Sequence, residues 1–217
     1  TLPLSVAPIK ISSWMGGDRD GNPNVTADVT KEILRLARWM AADLYLRDVE
    51  ELLSRLSMSN CSSELAAECP QGVDEPYRHI LRSLRERLAA TRTWAETSEP
   101  PEPGLIHSDA DLIAPLQLCY DSLLLCGMDI IADGLLKETL IRANTFGVTL
   151  VELDIRQSSD KHIELLDAIT EYLELGSYQH WSEKARTDFL LQELKTRRPL
   201  VPDSWQPEGD AGEILKT

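Results

Sequence analysis

Apolar residues recur at helical spacing through nearly the whole chain, and only two short stretches alternate. Ile33, Ala37, Met40 and Leu44 share one helical face, which Val49, Leu52 and Leu56 continue. After the N-cap Thr26, this predicts one long helix over 27–57, or two with a break. Residues 58–73 read as a connection. Asp74 and Pro76 open a second helix striped by Tyr77, Ile80, Leu81, Leu84 and Leu88. Glu99-Pro100-Pro101-Glu102-Pro103-Gly104 ends it as a surface loop. Ser108 caps a third, carrying Leu112, Leu116, Cys119 and Leu123. Asp133 can cap a fourth, which Gly147 closes. Further helices start at Ser158 or Ser159 and at Ser182, and 213–217 reads as a helix cut short.

The alternating stretches are 5–14, with Ile9 and Ile11, and 149–155. Helix, Gly147, strand, polar turn and helix make an α/β unit. Two strands this far apart make no stable sheet alone, so partner strands are expected elsewhere in a longer protein. The absent initiator Met and the helical last residues suggest the same: one partial domain over 1–217. The expected fold is mostly α with a few short strands.

A formal net charge of −14 repels nucleic-acid phosphates and anionic lipid, so neither is an expected partner. No apolar run approaches a membrane span, and the start lacks a signal-peptide pattern. Cys61, Cys69, Cys119 and Cys126 form no C-x-x-C pair. Packing and a reducing cytoplasm fit them best.

Three glycines, two aspartates, Asn and Pro crowd the segment Gly16-Gly17-Asp18-Arg19-Asp20-Gly21-Asn22-Pro23. It lacks the P-loop ending, the calcium-loop positions and the dinucleotide spacing. A structural turn held by Asp and Asn side chains and an active-site loop both remain open. Arg156 stands at a strand end just before a helix, where forked donors meet a phosphate or carboxylate. A plain salt bridge to Asp154 is the competing account. His79, His107, His162 and His180 lack metal-ligand spacing. Arg78, Arg82, Arg85 and Arg87, near Glu75 and Glu86, read as a solvated, ion-paired face.

Two strings resemble the bacterial-type phosphoenolpyruvate carboxylase family. They are Ser13-Trp14-Met15 with the Gly16–Pro23 loop, running on through Val25-Thr26, and Leu153-Asp154-Ile155-Arg156-Gln157. Ala89-Ala90-Thr91, Cys126-Gly127-Met128 and Arg198-Pro199-Leu200 extend the likeness loosely. The resemblance implies a segment of an α/β (TIM-like) barrel with many extra helices, in a homotetramer. It implies condensation of phosphoenolpyruvate with bicarbonate to oxaloacetate and phosphate, with Mg²⁺ or Mn²⁺. Arg156 matches the arginine that contacts substrate phosphate, and Arg19 is a second candidate contact. The family's T-A-H-P-T-E, F-H-G-R-G-G and N-T-G motifs and its metal-binding carboxylates have no match here. The segment is therefore expected to need the remainder of the same chain and to be inactive alone. Ser158 stands where the family usually has Glu. The alternative is a non-catalytic helical interaction module, in which Arg156 is salt-bridged and buried.

Overall fold

A computed structural model describes residues 3–97, 104–202 and 204–216. The Pro-rich stretch 99–103, expected as a loop, lies outside them. The described chain is mostly helical and falls into two compact units, Thr1–Ser13 with Ile33–Glu152, and Trp14–Glu32 with Leu153–Thr217.

The first unit holds most of α1 (Ala27–Arg55), then α2 (Ser63–Ala67), α3 (Pro76–Thr97), α4 (Asp109–Leu125), α5 (Asp129–Ala132) and α6 (Leu135–Phe146). Its core is the meeting of four apolar stripes. Val49 and Leu52 of α1, with Leu56 just past its end, join Tyr77, Leu81, Leu84 and Leu88 of α3. Leu112, Leu116, Cys119 and Leu123 of α4 join Leu136 and Leu140 of α6. Helix α4 packs against α3 and α6. The Ser108 cap takes the form of a capping box: its hydroxyl accepts from Asp111 N–H while the Asp111 carboxylate accepts from Ser108 N–H. One buried polar knot ties three segments, as the Ser122 hydroxyl bonds Tyr77 Oη at 2.8 Å and accepts from Ser62 N–H at 2.9 Å.

Several expectations need correction. Met40 and Leu44 are 40% and 42% exposed, because α1 buries the neighbouring face of Ala41, Tyr45 and Val49. The 58–73 connection contains α2, capped by Ser62 and carrying a single buried apolar residue, Leu65, too little for a periodic signal. Asp133 does not cap α6; it ends α5 and pairs with Lys137, and Gly134 takes the N-cap position.

The strands are shorter than their patterns. β1 is Ser12–Ser13 and β2 is Glu152–Leu153, the two forming a two-stranded sheet in which Glu152 N–H donates to Ile11 O. Ile9 and Ile11 are exposed, so their alternation has no covered face to hold more of the segment extended. On the other side Leu150 adopts φ 65°, which breaks the extended run just before β2.

The second unit comprises the 14–26 loop, the first turn of α1, Leu153 of β2, α7 (Ser159–Tyr172), α8 (Glu183–Glu193) and α9 (Gly209–Lys216). Its buried apolar residues include Ala27, Ile169 and Tyr178, and aromatic contacts surround Tyr178. Tyr178, Trp181 and Phe189 contact one another with centroids 5.3 to 6.3 Å apart. Tyr172 stacks on Trp205 at 5.1 Å. Among the described residues, no helix is long and apolar enough to cross a membrane.

Candidate functional site

The glycine-rich loop folds back on itself before it meets the strand end. Gly16 takes φ 83° and Gly21 φ 70°, conformations that side chains disfavour. The Trp14 carbonyl accepts from both Gly17 and Asp18 N–H, at 3.0 and 2.9 Å. Asp18 Oδ1 accepts from Asp20 N–H, and Asn22 Oδ1 accepts from Asn24 N–H. The Thr30 hydroxyl donates to Gly16 O at 2.7 Å and pins the loop to the start of α1. The Asp and Asn side-chain bonds of a structural turn are thus present.

The same loop is also locked to Arg156. Arg156 N–H donates to Gly17 O at 2.9 Å, and Arg19 N–H donates to Arg156 O at 3.0 Å. This is a parallel bridge between Asp18 and Arg156. Gly17 is required by the approach, since a Cβ there would stand 2.4 Å from the Asp154 carbonyl oxygen. The two strings singled out in the sequence therefore meet in space.

Ser158 is the N-cap of α7, and Arg156 stands between it and β2, with Asp154 and Ile155 separating it from the strand. The Arg156 side chain is 54% exposed. Nε and Nη2 both donate to Asp154 Oδ2, at 2.8 and 2.6 Å. The guanidinium carbon sits 5.4 Å from the centre of the Trp14 ring, in cation–π contact. The salt bridge to Asp154 exists, but the arginine is not buried.

Arg19 is placed differently. Its side chain is only 6% exposed. Nε donates to Val25 O at 3.0 Å and Nη2 to Glu213 Oε1 at 2.8 Å. Glu213 Oε1 also accepts from Ala27 N–H, the first residue of α1. One carboxylate thus holds the loop arginine and a helix N-terminus together, where negative charge is favoured. Sequence reasoning missed Glu213, because a partner 194 residues away leaves no periodic signal. His162 lies on an exposed turn of α7, consistent with a solvated position.

A cleft of about 390 Å³ opens beside the loop, lined in part by Arg19, Gln157, Ser158, Lys161, Asp210 and Glu213. Its cations are matched by carboxylates. Lys161 bonds Asp210 at 2.5 Å and Glu164 at 2.8 Å, and these partners raise its pKa. Arg156 stays outside the lining. The Arg156 guanidinium, by contrast, is open to solvent on the side away from Asp154.

These features define a largely helical chain with two short strands, which offers an exposed guanidinium between the second strand and a helix start, a surface suited to a phosphate or carboxylate. The chain belongs to the phosphoenolpyruvate carboxylase family, whose profile, described as phosphoenolpyruvate carboxylase, matches residues 1–217. It is 55% identical over 220 residues to the phosphoenolpyruvate carboxylase of Pseudomonas aeruginosa. It is 54% identical over the same length to those of Ectopseudomonas mendocina and Marinobacter nauticus. Each match covers 100% of this chain and 25% of the relative, so the chain spans about a quarter of the length of these relatives.

Proposed function

We propose that this chain forms part of the active site of a carboxylase that condenses phosphoenolpyruvate with bicarbonate, giving oxaloacetate and phosphate. The observation that carries the reading is the exposed guanidinium of Arg156, fixed at the strand end by the loop that shares the family's other distinctive string. In this reading the phosphoryl group passes to bicarbonate, forming carboxyphosphate and an enolate. Carbon dioxide released from carboxyphosphate is then attacked by the enolate. Negative charge spreads over phosphoryl oxygens, and a positioned arginine stabilises it there. Arg156 takes the substrate phosphate. Arg19 is assigned a second contact, on the condition that its guanidinium exchanges Glu213 for substrate.

The whole protein is proposed to use Mg²⁺ or Mn²⁺, which would neutralise charge on the reacting oxygens. The metal's ligands are assigned to the remainder of the protein, because the family's metal-binding carboxylates have no match in this sequence. The two short strands are assigned to a larger barrel completed by that remainder, within one domain and a homotetramer. Four free cysteines support a reducing cytoplasm as its setting.

The test is oxaloacetate formation by the whole carboxylase, by its Arg156→Ala variant and by this chain alone. Removing one such donor is expected to lower the rate roughly a hundred-fold, about 3 kcal/mol. The isolated chain is expected to be inactive. The Asp154–Arg156 salt bridge favours a second reading, a helical interaction module. An Arg156→Ala enzyme of undiminished rate would put that reading first.

A further inference from the structure

A guanidinium carries five N–H donors: one on Nε and two on each terminal nitrogen. In Arg156 the Nε donor and one Nη2 donor both go to Asp154 Oδ2. The guanidinium carbon lies 5.4 Å from the centre of the Trp14 ring, in cation–π contact, and the Arg156 backbone N–H and C=O are bonded to Gly17 and Arg19. All these partners lie in the second unit. A long side chain half open to water is thereby held in one orientation. The donors left over are both hydrogens of Nη1 and the second of Nη2. One hydrogen of Nη1 and the second of Nη2 form the end-on edge of the fork, whose spacing matches two oxygens of a tetrahedral anion.

We infer that Asp154 is a positioning residue for the phosphate contact: it occupies the Nε side of Arg156, so that the substrate phosphate meets the Nη1–Nη2 edge. The inference rests on the reading of Arg156 as the phosphate contact. It has a sign that simple electrostatics reverses. Asp154 is an anion next to an anion-binding group, and by Coulomb's law alone its removal would tighten phosphate binding. If its work is to aim the guanidinium, its removal loosens binding and slows turnover instead, as misaimed groups do.

The experiment measures kcat and KM for phosphoenolpyruvate in the whole carboxylase carrying Asp154→Ala, Asp154→Asn, Arg156→Ala and the Asp154→Ala/Arg156→Ala pair, with thermal melts confirming that each folds. Asp154→Ala is expected to lower kcat/KM about ten-fold or more, with KM rising. Asp154→Asn keeps a side-chain oxygen that accepts the same two bonds, so it recovers most of that loss. In the Arg156→Ala background, Asp154→Ala is expected to add no further loss. An unchanged or lower KM in Asp154→Ala would overturn the positioning role, as would an equal loss in both backgrounds. Undiminished kcat/KM in Arg156→Ala alone would instead remove the reading beneath it, so the two failures are distinguishable.

Discussion

At the scale of the single residue, Asp111 shows how much one carboxylate can organise. Its Oδ1 accepts from Arg87 Nη2 at 2.7 Å, and its Oδ2 accepts from the N–H groups of His107 and Ser108 and from the Ser108 hydroxyl. Arg87 first, and then Ser108, hold its carboxyl well below the usual carboxylate range. A group whose folded pKa lies below its unfolded value stabilises the fold above the unfolded pKa, near 3.9 for Asp. That stability is lost as pH falls through the folded value. Melting temperature is therefore expected to drop on acidification more steeply in the native chain than in Asp111→Asn. At neutral pH, Asp111→Ala should cost about 1 to 2 kcal/mol through the capping box and the Arg87 bond, read by urea unfolding. Tyr45 is the opposite case. It is 3% exposed, its hydroxyl has no hydrogen-bond partner among the described residues, and burial followed by Asp109 pushes its pKa up. Removing a buried hydroxyl that bonds nothing relieves a desolvation penalty. Tyr45→Phe is expected to be neutral or to stabilise by up to about 1 kcal/mol in the same assay. The Arg156–Asp154 pair was legible in sequence, because residues two apart in an extended segment share a face. The Arg19–Glu213 pair was not, since only the folded chain brings a loop and a distant helix together.

At the scale of elements, the long helices were legible, the short α2 and α5 were not, and the strands were only partly so, for a physical reason. A helix closes its own hydrogen bonds, so Tyr77, Leu81, Leu84 and Leu88 announce α3 without help from elsewhere. A strand needs a partner, and the alternation around Ile9 and Ile11 keeps only Ser12 and Ser13 paired. Turn chemistry was legible where glycine has no substitute. Gly147 ends α6 at φ 56°, and a Cβ there would lie 2.5 Å from Asp109 Oδ1. That oxygen is already engaged, accepting from Val148 N–H at 2.8 Å. Gly147→Ala thus meets both left-handed backbone strain and a carboxylate that cannot move without giving up a bond. It is expected to destabilise by more than about 1 kcal/mol, lowering the melting temperature by a few degrees. An unchanged melt would show that the α6 terminus can rebuild around a side chain.

At the scale of the whole molecule, the surface of the first unit carries apolar groups that its own core does not use. Leu36, Met40 and Leu44 are 56%, 40% and 42% exposed and lie four residues apart, one ridge along α1. Leu44 also borders an apolar cleft of about 430 Å³ with Phe146, Leu150 and Val151. A contiguous patch of this kind marks an interaction surface more often than a solvated one. The isolated chain is expected to self-associate as its concentration rises, despite a net charge of −14. Added salt should strengthen that association by screening the repulsion between copies. Met40→Lys with Leu44→Lys separates the two forces. Each lysine makes the net charge less negative, so if repulsion between copies governed association the double variant would associate more than the native chain. If the ridge governs, two charges on its crest make it associate less. Sedimentation velocity at matched concentration and salt reads the difference directly. Less association is the expected result, and more would mean that the ridge is an ordinary solvated face.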